Sequence, residues 1–201
     1  MSSSTTAALQ SASFPILIPG APSTRPFTID PGAPASQAMT DFRSAPIVTS
    51  NFNTSIDDAL NQMKLSGARF AFVLGPDRKL VGSITSYDIQ GEKPVQYMVS
   101  IGCTETTCAW QDVQVENIME PVSQWRVLEF AHVARMNVSE VAALVAASGQ
   151  RYVVVVEAAA DPKSRQVRGL FSAARLQLLL GSGDSAAVGS SAVARTMSSL
   201  A

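Results

Sequence analysis

The residues best placed to bind a small molecule are two hydroxyls and a carboxylate in the segment Gly82-Ser83-Ile84-Thr85-Ser86-Tyr87-Asp88. Thr85 and Ser86 stand where a predicted strand gives way to a helix, and the free N–H groups of a helix N-terminus favour phosphate. Asp88 can accept hydrogen bonds from both hydroxyls of a ribose. Gly82 lets a ligand or a neighbouring strand approach the backbone. Thr85 and Asp88 also fit a helix capping box, so a nucleotide site and a plain helix cap are both open interpretations.

Other reactive side chains are few. Cys103 and Cys108 have four residues between them, and with one histidine in the chain a four-ligand zinc site would need carboxylates or a second subunit. The cysteines are interpreted as ordinary thiols in a connector, with a redox pair as the alternative. His132 is interpreted as structural, and Trp125 is expected to pack at an interface between repeats or subunits. Because no nucleophile elbow, P-loop or metalloprotease motif occurs, we predict no enzyme, no catalytic residue and no metal site.

The composition favours a folded protein without a nucleic-acid or membrane partner. Of the 201 residues, 46% are hydrophobic and 15% are charged, which is enough to form a core. A formal net charge of -1 gives no long-range attraction for DNA, RNA or anionic lipid. No apolar run reaches the roughly 18 residues of a membrane span, and no secretory signal is evident. Because two cysteines are too few for a disulfide framework, we expect a cytoplasmic protein.

The middle of the chain contains one pattern twice. The segment SIDDALNQMKLSGARFAFVL (55–74) aligns with NVSEVAALVAASGQRYVVVV (137–156). LVGSITSYDI (80–89) then aligns with VRGLFSAARL (167–176), after a longer loop in the second copy. Insertions of this kind are typical of surface hairpin loops, so we expect the two copies to share one fold.

Each copy has the pattern of a helix, two strands and a second helix. Apolar residues at helical spacing predict helices that begin near Ile56 and Val138, and the matching Gly67 and Gly149 suit the left-handed residue that ends a helix. FAFVL and YVVVV are apolar, β-rich runs typical of buried strands. With a short entry segment before each copy, the predicted fold class is α/β (α+β), with two β-α-β-β-α repeats related by pseudo-twofold symmetry. Packing the copies together hides the sheet face that each leaves uncovered.

The two ends of the chain differ from the middle. They are rich in Ser, Ala, Gly and, at the N-terminus, Pro, and they show little periodicity. The predicted boundaries are an irregular N-terminal arm over 1–36, a first repeat over 37–100, a connector over 101–111, a second repeat over 112–181 and a flexible tail over 182–201.

The motif G-x-I-T-x-x-D over 82–88 and the segment VENIMEP over 115–121 resemble those of the CBS domain, named for cystathionine β-synthase. The resemblance covers about 36–181. Within the family, the sequence is similar to a narrower group of stand-alone bacterial CBS-pair proteins. It implies tandem CBS domains, also called a Bateman module. Such modules generally sense AMP, ADP, ATP or S-adenosylmethionine and dimerise into discs. The resemblance therefore implies an adenosine ligand, a homodimer and an effector protein, with no required cofactor.

The resemblance also implies where the ligand lies. Adenine is expected between the entry strand 47–49 and the strand around 68–71, with phosphates on the matching Arg69 and Arg151. The second copy has Arg175 in place of the carboxylate, and a guanidinium has donors only, so we expect one competent site per chain. The expected nucleotide-binding residues are Gly82, Thr85, Ser86, Asp88, Ile47, Val48, Thr49, Ala68, Arg69, Phe70, Ala71 and Arg151.

Three functions are open from the sequence. The leading hypothesis is a regulatory or sensor module that binds an adenine nucleotide or S-adenosylmethionine and acts by conformational change or partner binding. The alternative is a ligand-free structural dimerisation module, in which Asp88 only caps a helix. The third hypothesis is a thiol redox sensor that uses Cys103 and Cys108.

Overall fold

The structure is a computed structural model that describes residues 28–103, 109–161 and 164–181. Cys108, most of the predicted arm and the predicted tail lie outside the described residues. Over the described residues the chain forms two units, each a four-stranded sheet with helices packed against it. The mixed α and β content and the doubled plan confirm the predicted fold class.

The first unit contains the elements predicted from the first copy of the repeat. Its long helix begins after Ser55, whose hydroxyl accepts a hydrogen bond from the backbone amide of Asp58, and it ends at Gly67, where φ is 66°. The elements up to the connector are β1 (Thr40–Asp41), β2 (Thr49–Asn51), α1 (Ile56–Ser66), β3 (Phe70–Leu74), β4 (Leu80–Thr85), α2 (Ser86–Gln90) and α3 (Lys93–Ser100).

The second unit repeats the plan of the first. Its long helix is capped by Asn137 and ends at Gly149, where φ is 68°. The elements after the connector are α4 (Val115–Ile118), β5 (Glu120–Pro121), β6 (Val127–Glu129), α5 (Phe130–Val133), α6 (Val138–Ser148), β7 (Tyr152–Ala158), β8 (Arg165–Ser172) and α7 (Ala173–Leu180). Short 3₁₀ helices lie at Ala35–Gln37, Trp110–Asp112 and Val122–Gln124.

The two units exchange their outermost strands. The sheet orders are β2-β3-β4-β5 and β1-β8-β7-β6. In each sheet the entry strand is parallel to the central strand, and the other two pairings are antiparallel. Strand β5 precedes the second unit yet pairs with β4 of the first, and β1 precedes the first unit yet pairs with β8 of the second. Each sheet is therefore completed by the segment that leads into the other unit.

Two matching glycines make room for the exchanged strands. A Cβ atom at Gly82 would lie 2.6 Å from the backbone oxygen of Glu120, and one at Gly169 would lie 2.7 Å from that of Thr40. Any larger residue would push the exchanged strand away, because these are contacts with backbone rather than with flexible side chains. Of the two roles that the sequence allows for Gly82, the structure shows the close approach of a neighbouring strand.

Within the part of the chain that the structure describes, three apolar clusters hold the fold together. One lies between sheet and helices in each unit, and the third lies between the two sheets. The third cluster has Phe72 of the first unit against Val154 and Leu170 of the second. Phe70 and Tyr152 meet across this seam with ring centroids 5.2 Å apart. The seam between the units is therefore a packed interface, and any opening in it is bounded by residues of both units.

Three further sequence predictions concern the surface and the connector. Cys103 is disulfide-bonded, which corrects the prediction of an ordinary thiol, and its predicted redox partner Cys108 lies outside the described residues. His132 lies at the exposed surface of α5. Within the described residues, no helix is long and apolar enough to span a membrane.

Candidate functional site

Among the cavities that the described residues form along the seam are two clefts, and each combines residues of both units. The Asp88 cleft, about 170 Å³ in volume, lies between the end of β4 and the segment that leads into β6. The Ser172 cleft, about 240 Å³, lies between the end of β8 and the segment that leads into β2. The Asp88 cleft is lined by Phe70, Ser83, Thr85, Asp88, Glu120, Trp125, Arg126, Gln150, Arg151, Tyr152 and Val154. The Ser172 cleft is lined by Thr40, Phe42, Pro46, Val48, Gly67, Ala68, Arg69, Phe70, Phe72, Tyr152, Leu170 and Ser172.

Thr85 and Asp88 form a complete capping box at the start of α2. The backbone N–H and the hydroxyl of Thr85 donate to Oδ2 of Asp88 at 2.9 and 2.6 Å, and the Asp88 N–H donates to the Thr85 hydroxyl at 3.1 Å. Asp88 Oδ1 forms an ion pair with Lys93 Nζ at 2.7 Å. A carboxylate offers about four acceptor positions, and these contacts use three of them. The cap therefore exists, and it leaves Asp88 able to accept one further hydrogen bond at the cleft.

Lys93 adds a positive charge beside Asp88 that the sequence analysis did not predict. Its ammonium also donates to the backbone oxygen of Ile118 at 3.3 Å, so it joins α3, Asp88 and the end of α4. The Lys93 side chain is 43% exposed, whereas that of Asp88 is 20% exposed. Because the lysine is flexible and half in solvent, a ligand hydroxyl can compete for Asp88 Oδ1 at little cost.

The matching arginines of the two units converge on Tyr87, the second residue of α2. Arg69 Nη1 donates to the Tyr87 hydroxyl at 3.1 Å, and the Arg151 guanidinium lies 4.5 Å from the centre of the Tyr87 ring. Across the described residues, neither arginine has a carboxylate partner. Burial raises the pKa of Tyr152, which lines both clefts, and the two arginines partly oppose that rise. The centre of the seam therefore holds two cations and a neutral phenol.

A third cavity borders on this cluster and shares residues with both clefts. Its volume is about 170 Å³, and its lining includes Tyr87, Arg151 of the Asp88 cleft and Ser172 of the Ser172 cleft. The backbones are held in matching ways as well. The Arg69 carbonyl accepts from Ser86 N–H and the Arg151 carbonyl from Ala173 N–H, each tying a central strand to the helix after its hairpin.

The structure divides the predicted nucleotide-binding residues between the two clefts. Thr85, Asp88 and Arg151 line the Asp88 cleft, and Val48, Ala68 and Arg69 line the Ser172 cleft, while Phe70 lines both. The remaining five are in neither lining: Ile47 and Thr49 are exposed, Ala71 and Ser86 are buried, and Gly82 contacts β5.

The expected position of adenine, between the entry strand 47–49 and the strand around 68–71, stays a prediction, and the structure places Val48 and Ala68 of these two segments in the Ser172 cleft. Because β5 pairs with β4, the segment that follows β5 runs beside Asp88, and the entry segment of the first unit instead meets the end of β8. In each cleft the hydroxyl at the strand-to-helix junction of one unit faces the entry segment of the other.

Sequence reasoning missed the residues that this exchange brings to Asp88. Arg126, Glu120 and Trp125 come from the segment leading into the second unit. Trp125 is also close to Phe72, with ring centroids 5.9 Å apart, and among the described residues its buried Nε1 has no hydrogen-bond partner. The repeat alignment could have pointed to them, because β6 is the second-unit match of β2.

The second unit departs from the first at the same junction. Ser172 caps α7 by accepting from the Arg175 N–H at 3.4 Å. The Arg175 side chain reaches the exchanged strand β1, where Nη1 donates to the Thr40 hydroxyl at 3.3 Å. Within the described part of the chain, no group of three or more His, Cys, Asp or Glu side chains could hold a metal ion.

Residues 40–92 match the family model of the CBS domain. The first unit is a CBS domain. The matched segment begins at β1 and ends beyond α2, so it contains Thr85 and Asp88. The second unit repeats the topology of this CBS domain. The comparison with curated proteins gives no significant match.

Several solved structures are similar to the chain over most of its length. An uncharacterized conserved protein from Pyrococcus horikoshii is 19% identical, with 74% of this chain and 92% of that chain covered and a TM-score of 0.49. The CBS-pair protein CBSX2 from Arabidopsis thaliana is 21% identical, with coverage of 72% and 92% and a TM-score of 0.45. CBSX2 in complex with AMP matches with 21% identity, coverage of 72% and 93% and a TM-score of 0.45.

Proposed function

We propose that the Asp88 cleft binds an adenosine ligand and that the chain is a regulatory module whose output is a change of shape or of partner affinity. AMP, ADP, ATP and S-adenosylmethionine are the candidate ligands, as the CBS resemblance implies. The observation that carries the proposal is the meeting, in one cleft, of Asp88 from the first unit with Trp125 and Arg151 from the second. The proposal includes no catalytic step, and a homodimer, an effector protein and a cytoplasmic setting belong to it as well.

Each part of an adenosine ligand has a matching group in the cleft. Trp125 and Tyr152 offer aromatic surface to the base. The Trp125 Nε1–H has no hydrogen-bond partner among the described residues and can donate to an acceptor of the base. Asp88 retains acceptor capacity for a ribose hydroxyl. Arg126 and Arg151 are exposed cations that can pair with phosphate oxygens.

The charges of the cleft favour a ligand with few phosphates. Two carboxylates, Asp88 and Glu120, line the cleft together with two guanidiniums, those of Arg126 and Arg151. Because these four lining charges balance and Lys93 is already paired with Asp88, each phosphate beyond the first meets no further unpaired cation in the lining and is repelled by Glu120. We expect AMP to bind more tightly than ATP.

The size of the cleft links binding to a change of shape. Its volume of about 170 Å³ lies below the roughly 300 Å³ at the lower end of small-molecule sites. A nucleotide must therefore extend past the rim or move the units apart along the seam. A ligand that binds the opened arrangement more tightly shifts the population toward it, which is the requirement for a switch.

Calorimetry with AMP, ADP, ATP and S-adenosylmethionine tests the proposal. Asp88→Ala removes the ribose acceptor and is expected to weaken AMP by about tenfold to a hundredfold. Glu140→Ala is the matched control, because Glu140 occupies the same capping-box position on α6, where its carboxylate accepts from the Asn137 N–H at 2.9 Å. Glu140→Ala should lose a similar amount of stability and retain AMP binding.

The ligand-free alternative rests on the capping box itself. Asp88 already contacts Thr85 and Lys93, which is what a purely structural carboxylate would also show. If none of the four ligands gives heat or protects the protein against thermal unfolding, the structural dimerisation module is the better account.

The redox alternative rests on the disulfide of Cys103. If a Cys103→Ser, Cys108→Ser double variant keeps the same oligomeric state and ligand affinity as wild type in both reductant and oxidant, the redox hypothesis is rejected.

A further inference from the structure

The Ser172 cleft has a different chemistry from the Asp88 cleft. Most of its wall is apolar and includes Phe42, Val48, Phe72 and Leu170. Among the described residues that line it, Arg69 is the one charged side chain. The cleft is therefore suited to an apolar body with one polar end.

A nucleoside does not suit this cleft. The position that matches Asp88 is Arg175, whose guanidinium has donors only and is directed to the Thr40 hydroxyl. No carboxylate is present among the described residues of the lining, so the two hydroxyls of a ribose would lose their acceptor.

Three donors of the lining remain available for one anionic group. The Ser172 hydroxyl accepts from the Arg175 N–H, and the Thr40 hydroxyl accepts from the Arg175 side chain, so each keeps its own proton to donate. Arg69 donates to the Tyr87 hydroxyl and, over the described residues, has no carboxylate partner. A carboxylate can accept from a guanidinium and from hydroxyls at once, and it is the small anionic group that joins directly to an apolar body.

We propose that the Ser172 cleft binds a small carboxylate with an aromatic or branched aliphatic body, with its anionic end on Arg69, Ser172 and Thr40. The cleft volume of about 240 Å³ lies below that of sites for drug-sized ligands, so the ligand is a small acid such as an aryl acetate or a branched-chain acid. This inference does not rest on the proposed nucleotide site, since it uses neither Asp88 nor Trp125.

Nuclear magnetic resonance titration of the full chain with phenylacetate and isovalerate tests the inference. We expect saturable shifts at Thr40, Leu170 and Ser172, with a dissociation constant of about a millimolar for ligands of this size. The neutral amides of the two acids, which have the same shape, should bind at least about tenfold more weakly.

Variants distinguish the cleft from non-specific binding. Arg69→Gln should weaken phenylacetate by about tenfold, whereas Arg126→Gln, which removes a cation of the Asp88 cleft, should leave it unchanged. Val48→Phe should occlude the cleft. Asp88→Ala should retain the binding, so failure of the nucleotide proposal leaves this test intact.

Three results would overturn the inference. The first is equal affinity for acid and amide together with no effect of Arg69→Gln. The second is the absence of shifts at Thr40 and Ser172 at about tens of millimolar ligand. The third is saturation of those same positions by AMP in the Asp88→Ala variant, since that would make the cleft a second nucleoside site.

Discussion

Alanine at Gly82 or at Gly169 offers a way to disturb one cleft at a time. The Cβ of Gly82→Ala would lie 2.6 Å from Glu120 O, and ordinary contact begins at 3.4 Å, so β5 must retreat by about 0.8 Å. Glu120 lines the Asp88 cleft, and the chain continues from it to Trp125 and Arg126. The substitution is therefore expected to weaken AMP binding by about threefold to tenfold while leaving phenylacetate binding unchanged.

Gly169→Ala acts on the other exchanged strand. Its Cβ would meet Thr40 O at 2.7 Å and Met39 Sδ at 2.7 Å, so β1 must move, and Thr40 lines the Ser172 cleft. We expect phenylacetate binding to weaken and AMP binding to stay at the wild-type value. The pair of variants thus has opposite effects on the two ligands.

The stability cost of both variants follows from the same contacts. Forced overpacking destabilises the folded state by about 1–3 kcal/mol. Replacing glycine offsets about 0.4–1 kcal/mol of this, because it lowers the conformational entropy of the unfolded chain, so the net loss of stability is about 1–2 kcal/mol. For a chain of this size the melting temperature should fall by about 2–8 °C. Urea unfolding followed by circular dichroism measures the loss, and calorimetry measures the affinities.

Gly67→Ala is the control for stability loss without strand displacement. Its Cβ would have no atom within 4 Å, but its φ of 66° is in the left-handed region, which costs about 1–2 kcal/mol for a residue with a Cβ. It should lose stability without changing AMP affinity. If Gly82→Ala and Gly67→Ala change AMP affinity equally, or if Gly82→Ala leaves it untouched, the link between β5 and the Asp88 cleft is refuted.

Three further predictions concern the seam and the exchanged strands. Arg168→Met should cost about 2–3 kcal/mol in urea unfolding, because the buried guanidinium binds both carboxylate oxygens of Asp41 at 2.7 and 3.1 Å and its loss leaves Asp41 unpaired; a loss below about 0.5 kcal/mol contradicts this. Phe72→Ala should cost about 3–5 kcal/mol, since Phe72 is 3% exposed in the seam, and an unchanged denaturation midpoint would contradict it. Burial raises the pKa of Tyr152 above its ordinary 10.0, so the stability that the protonated phenol contributes is complete below pH 10.0 and is lost as the pH rises through the raised pKa. Above pH 10.0 the Tyr152→Phe variant should therefore lose less stability than wild type, and parallel pH profiles would contradict the assignment.

The sequence predicts the local elements well because their signals are local. Ser55 and Gly67 are at the two ends of α1, and the apolar run FAFVL is β3, as the capping and strand patterns indicate. The Thr85–Asp88 spacing likewise predicts the strand-to-helix junction at which α2 begins. Each of these features depends on residues a few positions apart.

Local sequence patterns do not predict that β1 and β5 each pair with a strand of the other unit. Each strand has two residues, too few to show alternation, and pairs with a strand far away in sequence. The sequence therefore gives no sign that Glu120, Trp125 and Arg126 line the cleft beside Asp88. The glycines at matching positions, Gly82 and Gly169, were the one local sign that something closely approaches each sheet.

The exchanged strands also bear on how such a chain could have arisen from a single ancestral copy. A lone copy would lack the fourth strand of its sheet and half of every cleft, so it could have worked only as two identical chains that lent each other their leading segments. In that pair the two binding places would have been the same by symmetry. Once the copies were joined in one polypeptide, each site could change independently of the other. The difference between Asp88 in the first copy and Arg175 at the matching position of the second is a change of this kind.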